Sequence, residues 1–175
     1  MNKQDRMRIE SFASAARRWC RHVEKSAGGP CTREALTETA ALLADVYQRG
    51  LRLPDVPAGV AAAPEPAAAA LAAWRPAGSW DRYQDIFDAY EDDRAVMSSL
   101  EQDVLDVYRD LKRGLARAAD RTAGALQDAA WDWRAHFLSH WGRHAVAALR
   151  AVHHALAARS FDGGPVPARA RTARS

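Results

Sequence analysis

Residues 122 to 158 contain no proline, and their core-forming side chains recur in steps of three and four. The repeating positions are Ala130, Trp133, Phe137, His140, His144 and Ala147. This spacing is typical of a helix that packs along one seam against its neighbours. It predicts one long C-terminal helix with a kink at Gly142, because glycine weakens the interior of a helix.

A first helix is predicted from about Asp5 to Lys25, where apolar residues also recur at helical spacing. The Gly-Gly-Pro sequence at residues 28–30 ends that helix. Thr32 is the predicted N-cap of a second helix, because its hydroxyl can accept from a free backbone N–H. The prolines at residues 54 and 57 end this second helix.

Two more helices are predicted between residues 79 and 119. Ser79 caps the first, whose large side chains have helical spacing at Tyr83, Ile86, Phe87 and Tyr90. Ser98 and Ser99, followed by Glu101 and Gln102, predict the capped start of the next helix. Period-two alternation appears nowhere, so no strand is predicted. We therefore expect an all-α fold of about five helices, with a four-helix-bundle-like core and a long C-terminal helix.

The chain has 175 residues, of which 48% are hydrophobic and 27% charged, as in ordinary globular domains. We expect a single helical domain over residues 1–160. Residues 57–78, rich in alanine and proline, are interpreted as a linker or a surface insertion. Residues 161–175 are interpreted as a disordered basic tail.

The charge distribution argues against nucleic-acid binding by the predicted folded part of the chain, residues 1–158. The net charge is +3, but residues 159–175 carry four arginines and one acid, whereas residues 1–158 carry 21 basic and 21 acidic residues. Nucleic-acid association through the arginine-rich tail is therefore only a weaker alternative. No apolar run long enough to cross a membrane and no secretory signal is visible, so we expect a cytoplasmic protein without membrane partners.

The histidines of the long helix are candidate site residues. His140 and His144 lie on the packing seam, whereas His136 lies on its flank. On the preceding helix, three aspartates edge the apolar seam: Asp103, Asp106 and Asp110. If these two helices pack antiparallel, the carboxylates and the imidazoles meet in the interior.

Three interpretations of this cluster remain open. The first is a structural network in which Asp–His and Asp–Arg pairs satisfy one another. The second is a divalent metal held by His140 and His144, which are about 6 Å apart along the helix, with carboxylates completing the shell. The third is a ligand or proton-transfer pocket, lined by Tyr108, Trp133, His140 and Trp141.

Sequence motifs name no reaction. HExxH, the Glu-x-x-His of di-iron bundles, GxSxG and Gly-rich phosphate loops are all absent. Two cysteines, without a CxxC pattern, do not form a disulfide framework. We therefore expect no cofactor, with a divalent metal as the alternative, and whether the protein is an enzyme stays open.

Several segments resemble a family of small bacterial helical proteins, the domain of unknown function numbered five thousand and sixty-three. The resemblance covers most of residues 10–156, and it rests on Ala16–Cys20, Leu51–Pro54, Asp106–Leu115, Trp131–Arg134 and His140–His144. It implies a helical fold of unknown activity and transfers no residue role.

Two functions remain as hypotheses from the sequence. A non-enzymatic helical module that binds a partner protein is the first, because the neutral body segregates its charges and carries no catalytic motif. The alternative is a metal-binding or enzymatic protein with a His/Asp site between the last two long helices.

Overall fold

The computed structural model describes residues 1–27, 32–57, 81–86, 90, 94–120 and 122–158. Helix α1 spans Lys3–Ser26 and helix α2 spans Arg33–Gly50. Strands β1, Arg82–Ile86, and β2, Ala95–Ser99, form an antiparallel pair. Helix α3 follows directly over Leu100–Ala118. The last helix consists of α4, Ala125–His136, a π-helical turn, Phe137–Trp141, and α5, Gly142–Ala157.

The helices form a closed four-helix ring. Helix α1 packs against α2, α2 against α5, α5 against α3, and α3 against α1. Helix α3 also packs against α4, so it lies along most of the last helix. The predicted all-α class and long C-terminal helix are confirmed. At the position of the predicted kink, the helix contains a π-helical turn that ends immediately before Gly142.

Local chemistry accounts for the helix starts. The Thr32 hydroxyl accepts from the backbone N–H of Ala35 at 3.1 Å, and the Ser99 hydroxyl accepts from that of Gln102 at 3.2 Å. Both serve as the predicted N-caps. A carboxylate oxygen of Asp81 accepts from the N–H of Glu101 at 2.9 Å. These side chains satisfy backbone donors that have no partner inside their own helix.

The predicted helix over residues 79–90 is wrong in its described part, because Arg82–Ile86 form strand β1. The side chains of Tyr83 and Asp85 point inward, whereas residues 82, 84 and 86 are exposed. Burial therefore alternates with period two, as in a strand. One of the two inward residues is an aspartate, so a pattern of apolar residues alone does not show this alternation.

The core is built around large aromatic side chains. Trp19, Trp133, Trp141 and Phe12 are fully buried. The ring of Phe12 lies 5.0 Å from that of Trp133 and 5.8 Å from that of Trp141, between centroids. The two indoles of the last helix are thus fixed against α1, which anchors the helix that carries the histidines.

Several predicted features lie outside the described residues, among them the Gly-Gly-Pro stop at residues 28–30 and the cap at residue 79. Of the predicted linker or insertion at residues 57–78, the structure describes residue 57 alone. The predicted basic tail at residues 161–175 lies wholly outside the described residues. The predicted domain boundaries stay a prediction. Within the described ranges, no helix is both long and apolar enough to cross a membrane.

Candidate metal centre

Helix α3 presents three aspartates toward the last helix. Asp103 and Asp110 are buried and Asp106 is half-buried, since positions three and four apart share one helix face. Asp103 contacts His144, and Asp110, two turns further on, contacts His140. The order of these contacts shows that α3 and the last helix run antiparallel.

His144 is held on one side by Asp103. Its Nδ1 lies 2.7 Å from Oδ1 of Asp103. The second oxygen of Asp103 accepts the hydroxyl of Tyr83 from strand β1. Burial, and then the hydrogen bond to this carboxylate, raise the pKa of Tyr83 far above its usual value, so Tyr83 remains a donor. A carboxylate only accepts, and Nδ1 of His144 therefore donates.

His140 is held in the same way by Asp110. Its Nδ1 lies 2.7 Å from Oδ2 of Asp110, and the other oxygen of Asp110 lies 3.0 Å from the guanidinium of Arg113. Arg113 also reaches Asp132 on α4 at 3.3 Å. The side chain of His140 is 42% exposed, so this edge of the cluster opens to solvent.

Both imidazoles thus have Nδ1 bound to a carboxylate, which places the Nε2 lone pair of the neutral ring outward. An Asp–His pair of this kind also orients histidine ligands in metal proteins and fixes their tautomer. The ring centroids of His140 and His144 are 4.7 Å apart. The two imidazoles are therefore close enough to share one ion.

Asp106 supplies the third group of the cluster. One ligand atom each from Asp106, His140 and His144 lie within 4.8 Å of one another. Nε2 of His144 is 3.8 Å from Oδ2 of Asp106. The carboxylate of Asp106 also accepts from Gln102 at 2.8 Å and from Arg109 at 2.7 Å, which hold it in place. Two imidazoles and one carboxylate form a common ligand set for transition metals.

The π-helical turn lies directly at this cluster. It contains His140, whereas His144 lies in the first turn of α5. An extra residue in a helical turn rotates the side chains on either side of it relative to each other. Such turns are rare and are found frequently at functional sites.

A protein-family model matches most of this chain. The model described as "Domain of unknown function (DUF5063)" covers residues 4–158. The chain belongs to the DUF5063 family. This confirms the resemblance noted in the sequence, and the family description names no activity.

A solved structure supports the fold of this DUF5063 member. The crystal structure of protein BF1032 from Bacteroides fragilis matches with a TM-score of 0.66 at 17% sequence identity. The match covers 92% of this chain and 96% of the other. At this identity the likeness concerns the fold alone. No curated protein sequence matches the chain.

Three residues predicted to line a pocket with His140 lie elsewhere. The hydroxyl of Tyr108 donates to Glu24 on α1 at 2.8 Å, and burial is the main cause of its raised pKa. The indole N–H of Trp133 donates to the carbonyl of Leu111 at 3.2 Å, and that of Trp141 to the carbonyl of Trp133 at 2.9 Å. These indoles belong to the core.

His136 is not one of the three grouped ligand residues, and its Nδ1 lies 3.4 Å from the carboxylate of Asp132. Its Nδ1 lies 2.9 Å from the backbone carbonyl of Asp132. The sequence interpretation missed Tyr83, which was assigned to a helix, and Arg143, whose guanidinium lies 3.1 Å from Nε2 of His144. The proximity of Arg143 to His144 in the sequence was the available signal.

An apolar groove of about 530 Å³ lies along the same helix, with a lining that does not include Asp106, His140 or His144. Its walls come from the end of α2, strand β1, the π-helical turn and α5. Leu138 and Val146 are 71% and 48% exposed there, and Arg143 forms part of the same wall. Arg150 is paired with Asp85 within the lining. Arg143 therefore contacts His144 and also lines the groove.

Proposed function

We propose that this protein binds one divalent transition-metal ion through Asp106, His140 and His144. The observation that carries the proposal is the shared orientation of the two imidazoles, each with Nδ1 bound to a buried carboxylate. A purely structural network does not need a third carboxylate on the Nε2 side. Asp106 occupies that side of His144.

The ligand types define the metal class. Imidazole nitrogen favours zinc, iron, cobalt, nickel and copper, whereas magnesium and calcium prefer oxygen ligands alone. Three protein ligands leave at least one coordination position for an exogenous ligand, as in catalytic rather than structural sites. The exposed edge of His140 provides access to that position. We therefore favour a site that acts on or senses a small ligand.

The test is a metal titration of protein prepared without a polyhistidine tag and stripped with a chelator. Wild type is expected to bind one equivalent of Zn²⁺ or Co²⁺ by calorimetry, with Mg²⁺ much weaker. His140→Ala and Asp106→Asn should lower the affinity by on the order of 100-fold or more. His136→Ala is the matched control, because it lies one turn away in the same helix and outside the cluster.

Two results would reject the metal site. In the first, the wild type binds no stoichiometric metal. In the second, His136→Ala weakens binding as much as His140→Ala does. A lowered melting temperature in His140→Ala, without any metal binding by wild type, would instead support the structural network of Asp–His and Asp–Arg pairs.

Binding of a partner protein in the cytoplasm is a second candidate. Strand β2 exposes Val96 and Met97, at 42% and 61%, on the two-stranded sheet of the described residues. A short sheet with exposed apolar side chains can add a strand from another protein. A photo-crosslinking residue at position 97 should then give one discrete adduct in cells, which Val96→Asp abolishes. A diffuse set of adducts, unchanged by Val96→Asp, would reject it.

Nucleic-acid association remains the weakest alternative. It depends on the arginines of residues 159–175, outside the described residues. Deletion of residues 159–175 should abolish any binding to duplex DNA at low salt. Retained binding would reject a role for the tail.

A further inference from the structure

A second cavity lies where the start of α1 meets the end of α2. Its volume is about 350 Å³, and we call it the arginine cavity after its lining, which is Gln4, Met7, Arg8, Ser11, Arg49 and Arg52. Three of these side chains are guanidinium groups, and no carboxylate of the described residues is among them. None of the six belongs to the His/Asp cluster or to the apolar groove. The arginine cavity is therefore separate from the candidate metal centre.

Helical spacing and helix packing bring these side chains together. The lining residues of α1 are at positions 4, 7, 8 and 11, which share one face of a helix. Arg49 lies in the last turn of α2, and Arg52 follows two residues after the end of that helix. A guanidinium nitrogen of Arg49 donates to the hydroxyl of Ser11, so the end of α2 lies against this face of α1.

Arg49 and Ser11 are held in position. Nε of Arg49 donates to Oδ1 of Asp45 at 2.8 Å, and one terminal nitrogen donates to Ser11. These two contacts leave the second terminal nitrogen of Arg49 for another acceptor. The Ser11 hydroxyl accepts in this contact and still has its own hydrogen to donate. Asp45 also pairs with Arg18, so one carboxylate serves two guanidinium groups.

The other two arginines are less closely paired. The guanidinium of Arg8 lies 3.9 Å from Oδ1 of Asp5, which is beyond hydrogen-bond distance. Asp5 also accepts from the side-chain amide of Asn2 at 2.8 Å. Arg52 is exposed, and its side chain makes no hydrogen bond or ion pair within the part of the chain that the structure describes. Positive charge therefore exceeds negative charge around the arginine cavity.

We propose that the arginine cavity binds the phosphate group of a small phosphomonoester. Such a group carries about 1.5 to 2 negative charges near neutral pH and has three terminal oxygens. Guanidinium groups donate paired N–H bonds to phosphate oxygens. A carboxylate has one charge and two oxygens, so it satisfies three guanidiniums and a hydroxyl less fully. The set of donors in the arginine cavity therefore favours phosphate.

The size of the cavity and Met7 indicate the rest of the ligand. A volume of about 350 Å³ is at the lower end of the range for small-molecule sites. Met7 is 61% exposed in the lining, and it offers an apolar contact to the organic part of a small ester. The ligand class is thus a compact phosphomonoester with an apolar group next to its phosphate.

Helix-end electrostatics alone do not explain the arginine cavity. The carbonyl end of α2 favours Arg49, because the helix dipole is negative there. The cavity also adjoins the start of α1, where the dipole is positive and does not favour a cation such as Arg8. An anion in the cavity is stabilised by the start of α1 and by all three guanidinium groups.

The experiment is an NMR titration of isotope-labelled full-length protein, stripped of metal, with a chelator kept in the buffer. The probes are phenyl phosphate, inorganic phosphate and benzoate at an ionic strength of about 0.15 M. Phenyl phosphate should cause saturable shifts at residues 4–11 and 49–52. It should bind about tenfold or more tightly than benzoate, which has the same ring and a single charge. Inorganic phosphate should bind at the same residues and more weakly.

Arg52→Gln is the decisive variant, because an exposed residue beyond the end of α2 is replaced without loss of the fold. It should keep the melting temperature of wild type and bind phenyl phosphate about 10- to 100-fold more weakly. Arg8→Gln should act in the same direction. Arg6→Gln is the matched control, since Arg6 lies on the same helix, pairs with Glu10 at 2.8 Å and does not line the cavity. Its affinity should stay within about twofold of wild type.

The outcomes separate this inference from the metal proposal. His140→Ala should bind phenyl phosphate as wild type does, whether or not wild type binds metal. Absence of saturable binding by wild type overturns the phosphate site. Equal losses in Arg6→Gln and Arg52→Gln overturn it too, because they indicate general attraction to a basic surface. Equal affinities for benzoate and phenyl phosphate overturn phosphate as the recognised group, and equal affinities for the two phosphates overturn the contact with Met7.

Discussion

Oδ1 of Asp103 lies 2.7 Å from Nδ1 of His144, and both side chains are buried between α3 and α5. The second oxygen of Asp103 accepts from Tyr83, so this carboxylate connects three elements of the fold: β1, α3 and α5. A buried carboxylate is stable only when donors satisfy it. Asp103 therefore contributes to the folded state and also orients His144.

Asp103→Asn should weaken both roles. An amide has one acceptor oxygen, so it cannot accept from His144 and Tyr83 as the carboxylate does. We expect the free energy of unfolding to fall by about 1–3 kcal/mol in urea denaturation. Metal affinity should fall by about 10- to 100-fold in calorimetry. Asp55→Asn, at a position with a 90% exposed side chain, is the control and should change neither quantity. Unchanged metal affinity in Asp103→Asn would contradict the orienting role.

Gly142→Ala should disrupt the π-helical turn. A Cβ at position 142 would lie 2.3 Å from the carbonyl oxygen of Phe137 and 2.9 Å from its ring. The backbone must therefore shift at position 142, which lies between His140 and His144. We expect a loss of about 1–3 kcal/mol in unfolding free energy, together with weaker metal binding. Val146→Ala, exposed on the same helix, should lose less than about 0.5 kcal/mol. Full metal affinity in Gly142→Ala would show that the turn does not set the histidine geometry.

Gly114→Ala tests the packing between α3 and α4. A Cβ there would lie 2.0 Å from Nε1 of Trp133, whose N–H donates to the carbonyl of Leu111. The indole must move and lose that hydrogen bond, at a cost of about 2–4 kcal/mol. Trp133→Phe in the Gly114→Ala background should recover part of the loss, which a double-mutant cycle measures. Strict additivity of the two substitutions would contradict this contact.

The lowered pKa of His22 predicts that the folded protein loses stability when the pH is lowered. Burial lowers its pKa from the usual 6.5, and Nε2 lies 2.8 Å from the hydroxyl of Thr39. That hydroxyl donates to the carbonyl of Ala35, so Nε2 donates to it. The unfolded chain takes up the proton first as pH falls below 6.5. The stabilisation that neutral His22 contributes is therefore complete above pH 6.5. It declines as the pH falls from 6.5 through the pKa of His22 in the folded protein.

Thermal melts of wild type and His22→Gln between about pH 5 and pH 7.5 measure this contribution. Glutamine can also donate to Thr39, but it does not titrate. The melting temperature of wild type should fall more steeply toward pH 5 than that of the variant. Parallel pH profiles would exclude His22 as a source of the pH dependence.

Helices with an apolar face could be predicted from the sequence, together with their caps. Thr32 and Ser99 cap helices as expected, because N-capping is a local interaction within four residues. Strand β1 could not be predicted in this way. The burial of Tyr83 and Asp85 depends on partners far along the chain, Asp103 and Arg150, rather than on apolar periodicity.

Part of the candidate site was also predictable. The shared helix face of the three aspartates and the seam positions of His140 and His144 predicted that carboxylates and imidazoles meet if the two helices pack antiparallel. The pairing itself, Asp103 with His144 and Asp110 with His140, depends on the relative shift of two helices. That shift is set by tertiary contacts, such as Trp133 against Gly114. One sequence does not encode such contacts in any local pattern.

The most direct test of the metal site is the anomalous scattering of a crystal grown from chelator-stripped protein with added Zn²⁺. The proposal predicts one strong peak about 2.0–2.1 Å from Nε2 of His140 and of His144, and within bonding distance of an Asp106 oxygen. Asp103 and Asp110 should remain on the two Nδ1 atoms. A crystal with zinc at other positions and no peak between these three side chains would contradict it.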